Sequence, residues 1–173
     1  MCLPSIALNG AQTQQSFMPI RIDSIDRRIL RELQADARIT NVQLSSRIHL
    51  SAPQCLRRVR ALEENGVLRG TRADVDAEAL GFGVTAYVSV SIGGNDFGRV
   101  RGVEAEMRAF PQILECWAVS GADDYLLKVV AADLKGLSAF ITDKLMQVAG
   151  IDDVRSMICL EEIKPASPLP VDG

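Results

Sequence analysis

The chain contains a single histidine, His49, and four cysteines that lie far apart, at positions 2, 55, 116 and 159. This spacing fits neither a zinc site nor a small disulfide framework, and it points to a reducing cytoplasm. We interpret the cysteines as small apolar fillers. No Ser/His/Asp, Cys/His or phosphate-loop arrangement is present. The sequence therefore predicts no catalytic residues, no metal and no cofactor.

The sequence also lacks long apolar runs and a positively charged amino-terminal segment. No stretch of about 18 apolar residues occurs, so no membrane span is expected. Residues 1–20 carry no charged side chain and so lack the start of a secretory signal. We interpret this segment as a disordered leader and Met18 as an alternative start of translation. The intact mass of the native protein would test that start.

What the chain does contain is an uneven distribution of charge. With 173 residues, 47% of them hydrophobic, it can form one large domain or two small ones. Residues 1–72 hold 11 Arg and 6 acidic residues, a net charge of +5, whereas residues 73–173 hold 8 basic and 16 acidic residues, a net charge of −8. The sum is the −3 of the whole chain. A basic first part suits a polyanion, and the division predicts two modules with different partners.

The basic part carries the signals of three consecutive helices. Asp23 is a good N-cap for a helix that reaches about residue 36. Thr40 with Gln43, and Ser51 with Gln54, have the spacing of capping boxes. Pro53 suits the first turn of the last helix. Because the second and third helices are only about three residues apart, the pattern predicts a helix-turn-helix.

The third helix, 51–64, separates apolar from cationic side chains. Leu56, Val59 and Leu62 form a predicted core stripe with Cys55 at its margin, and Val42, Leu44 and Ile48 form the apolar side of the preceding helix. Arginine and glutamine on the other faces can bind guanine, adenine or phosphate. For this helix alone, a solvated amphipathic helix is an equal alternative.

Gly66 is expected to end the third helix in a left-handed conformation. Residues 67–72 then predict a short strand or wing, in which Arg69 and Arg72 can reach backbone phosphates. Residues 73–83 read as a hinge with at most one helical turn.

From residue 84 the pattern becomes that of an α+β domain. Strands are predicted over 85–92, 113–119, 125–131 and 154–163, and helices over 97–110 and 134–148. The order βαββαβ is the ferredoxin-like arrangement, with both helices on one face of an antiparallel sheet. We expect the other face, with Tyr87, Trp117 and Ile158, to be covered by a second copy in a homodimer. A proline-rich tail follows over 166–173.

Both modules together resemble the Lrp/AsnC family of prokaryotic transcriptional regulators. The resemblance covers about residues 21–165 and is carried by IDSIDRRILRELQADARITNVQLSSRI, LSAPQCLRRVRALEENGVLRG, ECWAVSGADDYLLKV and VRSMICLEEIK. It implies a helix-turn-helix domain with winged-helix character (21–72), a hinge (73–83) and a ferredoxin-like domain (84–165) that dimerises and senses small molecules, usually amino acids. Family members often assemble into octamers or larger rings.

The resemblance also implies two sets of site residues. Expected DNA contacts are Thr40, Asn41, Arg47, Ser51, Pro53, Gln54, Arg57, Arg58 and Arg60, with Arg69 and Arg72 nearby. Expected effector contacts are Ser120, Gly121, Asp123, Asp124 and Tyr125, with Met157, Ile158 and Cys159 from a neighbouring copy. For an arbitrary protein the turn at 120–124 would be only a polar hairpin. Many family members have an aromatic residue where this chain has Asp123, so two adjacent acids indicate either a ligand with a basic end or a more polar turn.

The function expected from the sequence is a DNA-binding regulator on the bacterial nucleoid in the cytoplasm. It would hold an imperfectly palindromic double-stranded operator as a dimer and respond to an amino acid. The rival is a haem-pathway decarboxylase of the same architecture, against which the position of His49 in the helix-turn-helix argues. A purely structural oligomerisation module is a third alternative, against which the arginine-bearing helix argues.

Overall fold

The computed structural model describes residues 21–94 and 97–171, with the backbone alone for Phe97. The expected leader over 1–20, Met18 and Cys2 lie outside these residues. The chain divides into two compact units, one formed by Met1–Ala73 together with Ala166–Gly173 and the other by Asp74–Pro165. The carboxyl-terminal segment thus groups with the first unit. Within the described residues, no helix has the length and apolar character needed to cross a bilayer.

The first unit contains the three predicted helices, α1 (Ser24–Ala35), α2 (Asn41–Ile48) and α3 (Ala52–Glu64). Helix α1 begins at the predicted N-cap, because the Asp23 carboxylate accepts hydrogen bonds from the N–H groups of Ile25 and Asp26 at 2.9 and 2.8 Å. The capping box at Thr40 is confirmed as well. Local hydrogen-bonding chemistry therefore sets the starts of these helices.

The core of the first unit differs from the predicted stripe by one helical position. The buried residues are Ile29, Leu44, Ile48, Cys55 and Leu62. Cys55 is fully buried, whereas Leu56 is 39% exposed and Val42 is 69% exposed, so the prediction of core positions was wrong for Leu56 and Val42. The buried line of α3 instead runs through positions 55, 59 and 62, which lie on one face at the four- and three-residue helical spacing.

Residues 67–72 contain no strand, so the strand alternative for this segment was wrong. Gly66 has the predicted left-handed φ of 69°. The N–H groups of Val67 and Leu68 then both donate to the Leu62 carbonyl, at 2.9 and 3.0 Å. These donors cap the end of α3, which keeps them from entering a strand ladder.

The second unit has the predicted ferredoxin-like order. Its elements are β1 (Val84–Ile92), α4 (Phe97–Ala109), β2 (Ile113–Ala118), β3 (Tyr125–Ala131), α5 (Leu134–Asp143) and β4 (Ile151–Ile158). The strands form one antiparallel sheet in the order β2-β3-β1-β4. The connector before β1 contains a single 3₁₀ turn, Glu78–Leu80, as expected.

Three boundaries in the second unit were predicted wrongly: the end of α5 and both ends of β4. Helix α5 ends at Asp143, and Leu145–Gln147 forms a 3₁₀ turn that still buries Leu145. Gly150, at a φ of 115°, reverses the chain there, and β4 begins at Ile151, three residues before the predicted start. It ends at Ile158, five residues before the predicted end.

One face of the sheet packs on the helices and the other is open. Ala86, Val88 and Val90 of β1 are buried in the helix-side core. Tyr87 and Trp117, on the open side, are 39% and 62% exposed. Ile158 was assigned to the wrong face: it pairs with Ala86, and cross-strand partners point to the same side of a sheet. Its neighbour Met157 pairs with Tyr87 and lies on the open face instead.

Both edge strands of the sheet carry one extra residue. In β2, the pairing with β3 shifts between Ile113 and Glu115, which leaves Leu114 without an opposite residue. In β4, the pairing with β1 moves from Asp153 to Ile151 and skips Asp152. Each irregularity is a bulge, which bends its strand and interrupts the regular ladder.

Candidate DNA-binding and effector sites

The turn between α2 and α3 is held by backbone geometry. His49 has a φ of 58° and a ψ of 48°, the left-handed conformation that non-glycine residues rarely adopt. The Leu50 N–H donates to the Ser45 carbonyl at 2.9 Å, which closes the turn. The His49 side chain is exposed. The single imidazole thus belongs to the helix-turn-helix, which fixes how α3 leaves α2.

The beginning of α3 is capped by its own glutamine. Gln54 Oε1 accepts from the Ser51 hydroxyl at 2.9 Å and from the Ser51 N–H at 3.4 Å. A bidentate contact with adenine needs the amide oxygen as an acceptor as well as the amide nitrogen as a donor. Gln54 must therefore release this cap before it can read a base, whereas exposed arginines need no such release.

The sequence predicted Arg58 as an outward-facing DNA contact, but the structure directs its side chain toward α1. Its Nη1 atom donates to Asp23 Oδ2 at 2.8 Å and to Asp26 Oδ1 at 2.7 Å, and its side chain is 30% exposed. The hydrogen bond from the Asp26 N–H holds the pKa of Asp23 below its usual value, with a further contribution from Arg58. The same carboxylates raise the pKa of Arg58. Arg58 thus joins α3 to the capped start of α1.

Replacing Arg58 with Ala is expected to destabilise the first unit by roughly 1–2 kcal/mol. Asp26, whose side chain is 14% exposed, would lose a charged hydrogen bond, while the half-exposed Asp23 would be partly compensated by water. Because folding lowers the pKa of Asp23, its contribution is complete above about 3.8 and is lost as the pH falls through the folded-state value. Urea unfolding followed by circular dichroism, at pH 7 and pH 3, measures both effects.

Arg57→Ala is the control for this prediction, because Arg57 is the exposed neighbour on the same helix. It is expected to change the free energy of unfolding by no more than about 0.5 kcal/mol. Equal stability of the two variants at pH 7 would contradict the structural role of Arg58.

The other predicted DNA contacts divide into tied and exposed residues. Arg47 Nη1 pairs with Glu32 Oε2 at 2.9 Å, and the Asn41 amide donates to the Ala52 carbonyl at 2.9 Å, so both link elements of this unit. The exposed ones are Thr40, Ser51, Pro53, Arg57, Arg60, Arg69 and Arg72. Among the described residues, none of the four arginines in that list has an ion-pair partner. These four offer unpaired positive charge.

The predicted effector turn is anchored to the end of the open sheet face. Asp123 forms an ion pair with Arg155 and accepts from the Ser91 hydroxyl at 3.3 Å. The Asp124 carboxylate accepts from the Ile92 N–H at 2.7 Å, and the Asp124 N–H donates to the Val90 carbonyl at 3.0 Å. The turn is therefore tied to both β1 and β4.

Gly121 is required in this turn by its backbone. Its φ is 148°, in the region that L side chains rarely adopt, although a Cβ there would meet no atom within 4 Å. Ser120 beside it is exposed. The turn thus leaves its backbone open to close approach by a small molecule.

Tyr125 lies on the opposite face from Asp123. Its hydroxyl donates to Glu104 Oε1 of α4 at 2.8 Å, and the residue is 7% exposed. Burial, followed by the bond to Glu104, raises its pKa far above the usual value. Tyr125 lines a cavity of about 420 Å³ between α4 and β2, together with residues such as Arg108 and Cys116. Partial desolvation of the sulfur, followed by the charge of Glu104, raises the pKa of the Cys116 thiol, although the residue as a whole is exposed.

The three residues of the predicted effector site in and after β4 lie in different places. Met157 lies on the open face with Arg155, whereas Ile158 lies on the helix side. Cys159 continues beyond β4 and donates its N–H to the Thr85 carbonyl at 2.9 Å. Cys116 and Cys159 are exposed, so the interpretation of the cysteines as fillers holds for Cys55 and was wrong for these two.

Sequence reasoning missed Arg155, Ser91 and Glu104. Arg155 had a usable signal, because it lies two residues before Met157, on the same face of the strand. Ser91 likewise shares its face of β1 with Tyr87, four residues earlier. Glu104 gave no local signal, because its bond to Tyr125 joins residues 21 positions apart.

Comparisons with known proteins agree with this architecture. The family model described as winged helix-turn-helix DNA-binding matches residues 22–69, and the model described as Lrp/AsnC ligand binding domain matches residues 85–169. The leucine-responsive regulatory protein of Rhizobium meliloti is 42% identical over 85% of this chain and 94% of its own length. The transcriptional regulator AzlB of Bacillus subtilis is 36% identical over 90% of this chain and 99% of its own length.

Solved structures show the same likeness. A transcriptional regulator of Neisseria meningitidis, solved as a complex with L-methionine, superimposes with a TM-score of 0.82 and is 37% identical. The superposition covers 87% of this chain and 97% of that one. An AsnC family regulator of Agrobacterium tumefaciens gives a TM-score of 0.80 at 33% identity, over 86% of this chain and 97% of that one.

Proposed function

Because this chain belongs to the Lrp/AsnC family of transcriptional regulators, we propose that the exposed arginines of α3 hold its operator and that an amino acid bound at the β2–β3 turn controls that contact. The proposal that α3 binds DNA is supported chiefly by the different surroundings of its three arginines. Arg57 and Arg60 are exposed, while Arg58 is engaged with Asp23 and Asp26. Arg57 and Arg60 are thus the first candidates for binding bases and phosphates.

A dimer can recognise an operator that has two-fold symmetry. Two copies that cover each other's open sheet face present two α3 helices, which suit half-sites one DNA turn, about 34 Å, apart. The operator is therefore an imperfect palindrome of double-stranded DNA. Further association of dimers, into octamers or larger rings, would let one particle hold several operators together.

The effector half is supported by the ion pair at the turn. A free amino acid carries an ammonium and a carboxylate, the same two charges that Arg155 and Asp123 present to each other. Its ammonium can take the place of Arg155 beside Asp123, and its carboxylate can bind Arg155 and the open backbone at Gly121. Both acids of the turn already have partners, which favours a ligand with an uncharged side chain over one with a basic end. The relative solved with L-methionine makes that amino acid the first probe.

Binding of DNA and of an effector would give each of the two units a role without catalysis. We therefore infer that the protein is not an enzyme and uses no cofactor besides its effector. The rival decarboxylase activity receives no support, because the compared proteins are named as regulators. A regulator of this kind acts where the chromosome lies, on the nucleoid in the cytoplasm.

The DNA fragment upstream of the protein's own gene, titrated with the protein in a gel shift at several L-methionine concentrations, tests both halves. A retarded complex whose formation depends on the amino acid supports the proposal. No complex at any salt concentration would contradict the DNA-binding half, and a complex indifferent to each of the 20 amino acids would contradict the effector half.

Asp123→Asn is expected to weaken the response to the effector while leaving operator binding in the absence of effector unchanged. The amide keeps the size of the side chain but lacks the negative charge that an ammonium group requires. We expect the L-methionine concentration for half-maximal response to rise at least about 10-fold, since a charged hydrogen bond contributes about 1.5–3 kcal/mol. Fluorescence anisotropy of labelled operator measures it.

The matched control is Asp153→Asn. Asp153 also approaches Arg155, at 3.4 Å, but it is 59% exposed and lies away from Gly121 in the chain. It is expected to keep the response to L-methionine within about twofold. Equal responses of both variants and the natural chain would show that Asp123 does not hold the ligand.

A further inference from the structure

The carboxyl-terminal segment lies against the first helix of the DNA-binding unit. Gln34, on α1, accepts from the Leu169 N–H through Oε1 at 2.7 Å and donates to the Leu169 carbonyl through Nε2 at 3.1 Å. Arg27, two turns earlier on the same helix, donates to the Val171 carbonyl at 3.0 Å. One side-chain amide therefore satisfies both backbone polar groups of Leu169.

A shallow cavity of about 260 Å³ remains between α1 and the docked segment. It is lined on the helix side by Arg31, Gln34 and Ala35 and on the segment side by Pro168, Leu169, Pro170 and Val171. The two prolines restrict the segment to an extended conformation before it binds, which lowers the entropy lost on docking. Leu169 is 72% exposed. The face of α1 that carries Arg27 and Gln34 thus binds the backbone of a proline-flanked residue and does not depend on burial of the leucine side chain.

We propose that the face of α1 that carries Arg27 and Gln34 is a peptide-binding surface whose occupant is the chain's own segment 166–171. The contacts join residues 135 and 144 positions apart, and the segment groups with the DNA-binding unit although it follows the sensing unit in the chain. The sensing unit is consequently connected to the DNA-binding unit at both of its ends. One connection is the hinge at 73–83, and the other is the docked segment.

A double connection restricts how far the DNA-binding unit moves away from the sensing unit. Loss of the docked segment leaves only the hinge, so the two units gain freedom that operator binding must then remove. Hydrogen bonds from one glutamine and one arginine contribute to holding the segment on α1. The hinge is covalent and the docking is not, so the docked segment is the weaker of the two connections.

Amide hydrogen exchange of the full-length chain tests the docking directly. Pro168 and Pro170 have no N–H, so the Leu169 N–H reports on this short stretch by itself. We expect its exchange to be at least about 10-fold slower than in a free peptide spanning 164–173. In a Gln34→Ala chain that protection is expected to disappear, while the amides of α1 keep theirs.

Two further variants separate recognition of the backbone from other effects. Leu169→Ala, which changes an exposed side chain and keeps both backbone groups, is expected to retain the protection. Gln34→Glu keeps an acceptor for the N–H and loses the donor for the carbonyl, so a partial loss is expected. Protection that survives Gln34→Ala, or that is absent from the natural chain, would overturn the proposal.

A binding measurement identifies the occupant. A fluorescent peptide spanning 164–173 is expected to bind a chain that ends at Pro165 at least about 10-fold more tightly than the full-length chain, whose own segment competes at high effective concentration. Equal binding to both chains would show that the segment does not occupy this face of α1. Mixed oligomers of a full-length Gln34→Ala chain with a chain that ends at Pro165 and keeps Gln34 distinguish docking within one chain from exchange between subunits. Protection of Leu169 that is restored in the Gln34→Ala chain by the truncated subunits contradicts docking within the chain.

Discussion

A chain carrying Arg57→Ala is expected to bind its operator roughly 10- to 100-fold more weakly at 0.15 M salt. One good arginine contact to a base edge contributes about 1–3 kcal/mol of discrimination, and a phosphate contact adds to the salt-dependent part of the affinity. Arg57 is exposed on α3 and forms none of the ion pairs found among the described residues. Its guanidinium can therefore bind DNA without first breaking an ion pair. Fluorescence anisotropy with labelled operator, between 0.05 and about 0.3 M salt, measures the loss.

The salt series also tells which kind of contact Arg57 makes. A phosphate contact predicts that the slope of log K against log salt falls by about one, with equal weakening on unrelated DNA. A base contact predicts an unchanged slope and a smaller preference for the operator over unrelated DNA. Unchanged affinity for both DNAs would contradict the assignment of α3 as the recognition helix.

Arg58→Ala is the informative comparison, because its side chain is adjacent and equally cationic. Its bonds to Asp23 and Asp26 predict that its removal acts through stability. At 15 °C, where the variant remains folded, its operator affinity is expected to stay within about threefold of the natural chain. A 100-fold loss from Arg58→Ala in a fully folded protein would reverse the roles of the two arginines.

Trp117→Glu is expected to convert the proposed dimer into monomers. Trp117 is 62% exposed on the open sheet face, and its Nε1 donates to Glu115 Oε2 at 3.1 Å. A tryptophan buries roughly 150–250 Å² when covered, so losing its exposed part from both copies removes on the order of 5 kcal/mol of apolar burial. The new carboxylate would also lie beside Glu115. We expect the dimer dissociation constant to rise at least about 100-fold, measured by analytical ultracentrifugation.

Leu134→Glu controls for the general effect of a surface charge. Leu134 is 57% exposed, close to the value for Trp117, but it lies at the start of α5 on the helix side. This variant is expected to remain at least dimeric. If Trp117→Glu also stayed dimeric at nanomolar concentration, the open face would not be the interface. Loss of dimers should lower operator affinity as well, because a monomer can occupy only one half-site.

The sequence was most informative where structure depends on neighbours in the chain. The helix starts at Asp23 and Thr40 follow from hydrogen bonds across two or three residues, so the residue types suffice to predict them. The left-handed Gly66 is equally local. The order of strands and helices was predictable because periodicity distinguishes the two kinds of element over whole segments.

Errors arose where the answer depends on distant partners. The choice between Cys55 and Leu56 as the core residue of α3 depends on where α1 and α2 pack, and a one-residue rotation decides it. The face of Ile158 depends on its register with Ala86, 72 positions earlier, which no local pattern encodes. The role of Arg58 depends on carboxylates 32 and 35 positions away. The effector residues met the same limit, because Tyr125 and Asp123 point to opposite faces of the sheet.

The extra residues in β2 and β4 determine how larger assemblies of this protein can grow. An edge strand with a regular ladder can accept another strand and extend a sheet from one molecule into the next. Here the skipped positions at Leu114 and Asp152 bend both edges and interrupt their free backbone groups. For the assemblies proposed above, we therefore expect dimers to associate through side-chain surfaces and not through a continuous sheet. Such contacts can close into rings of fixed size and can be loosened by a small ligand, whereas an open-ended sheet would grow without limit.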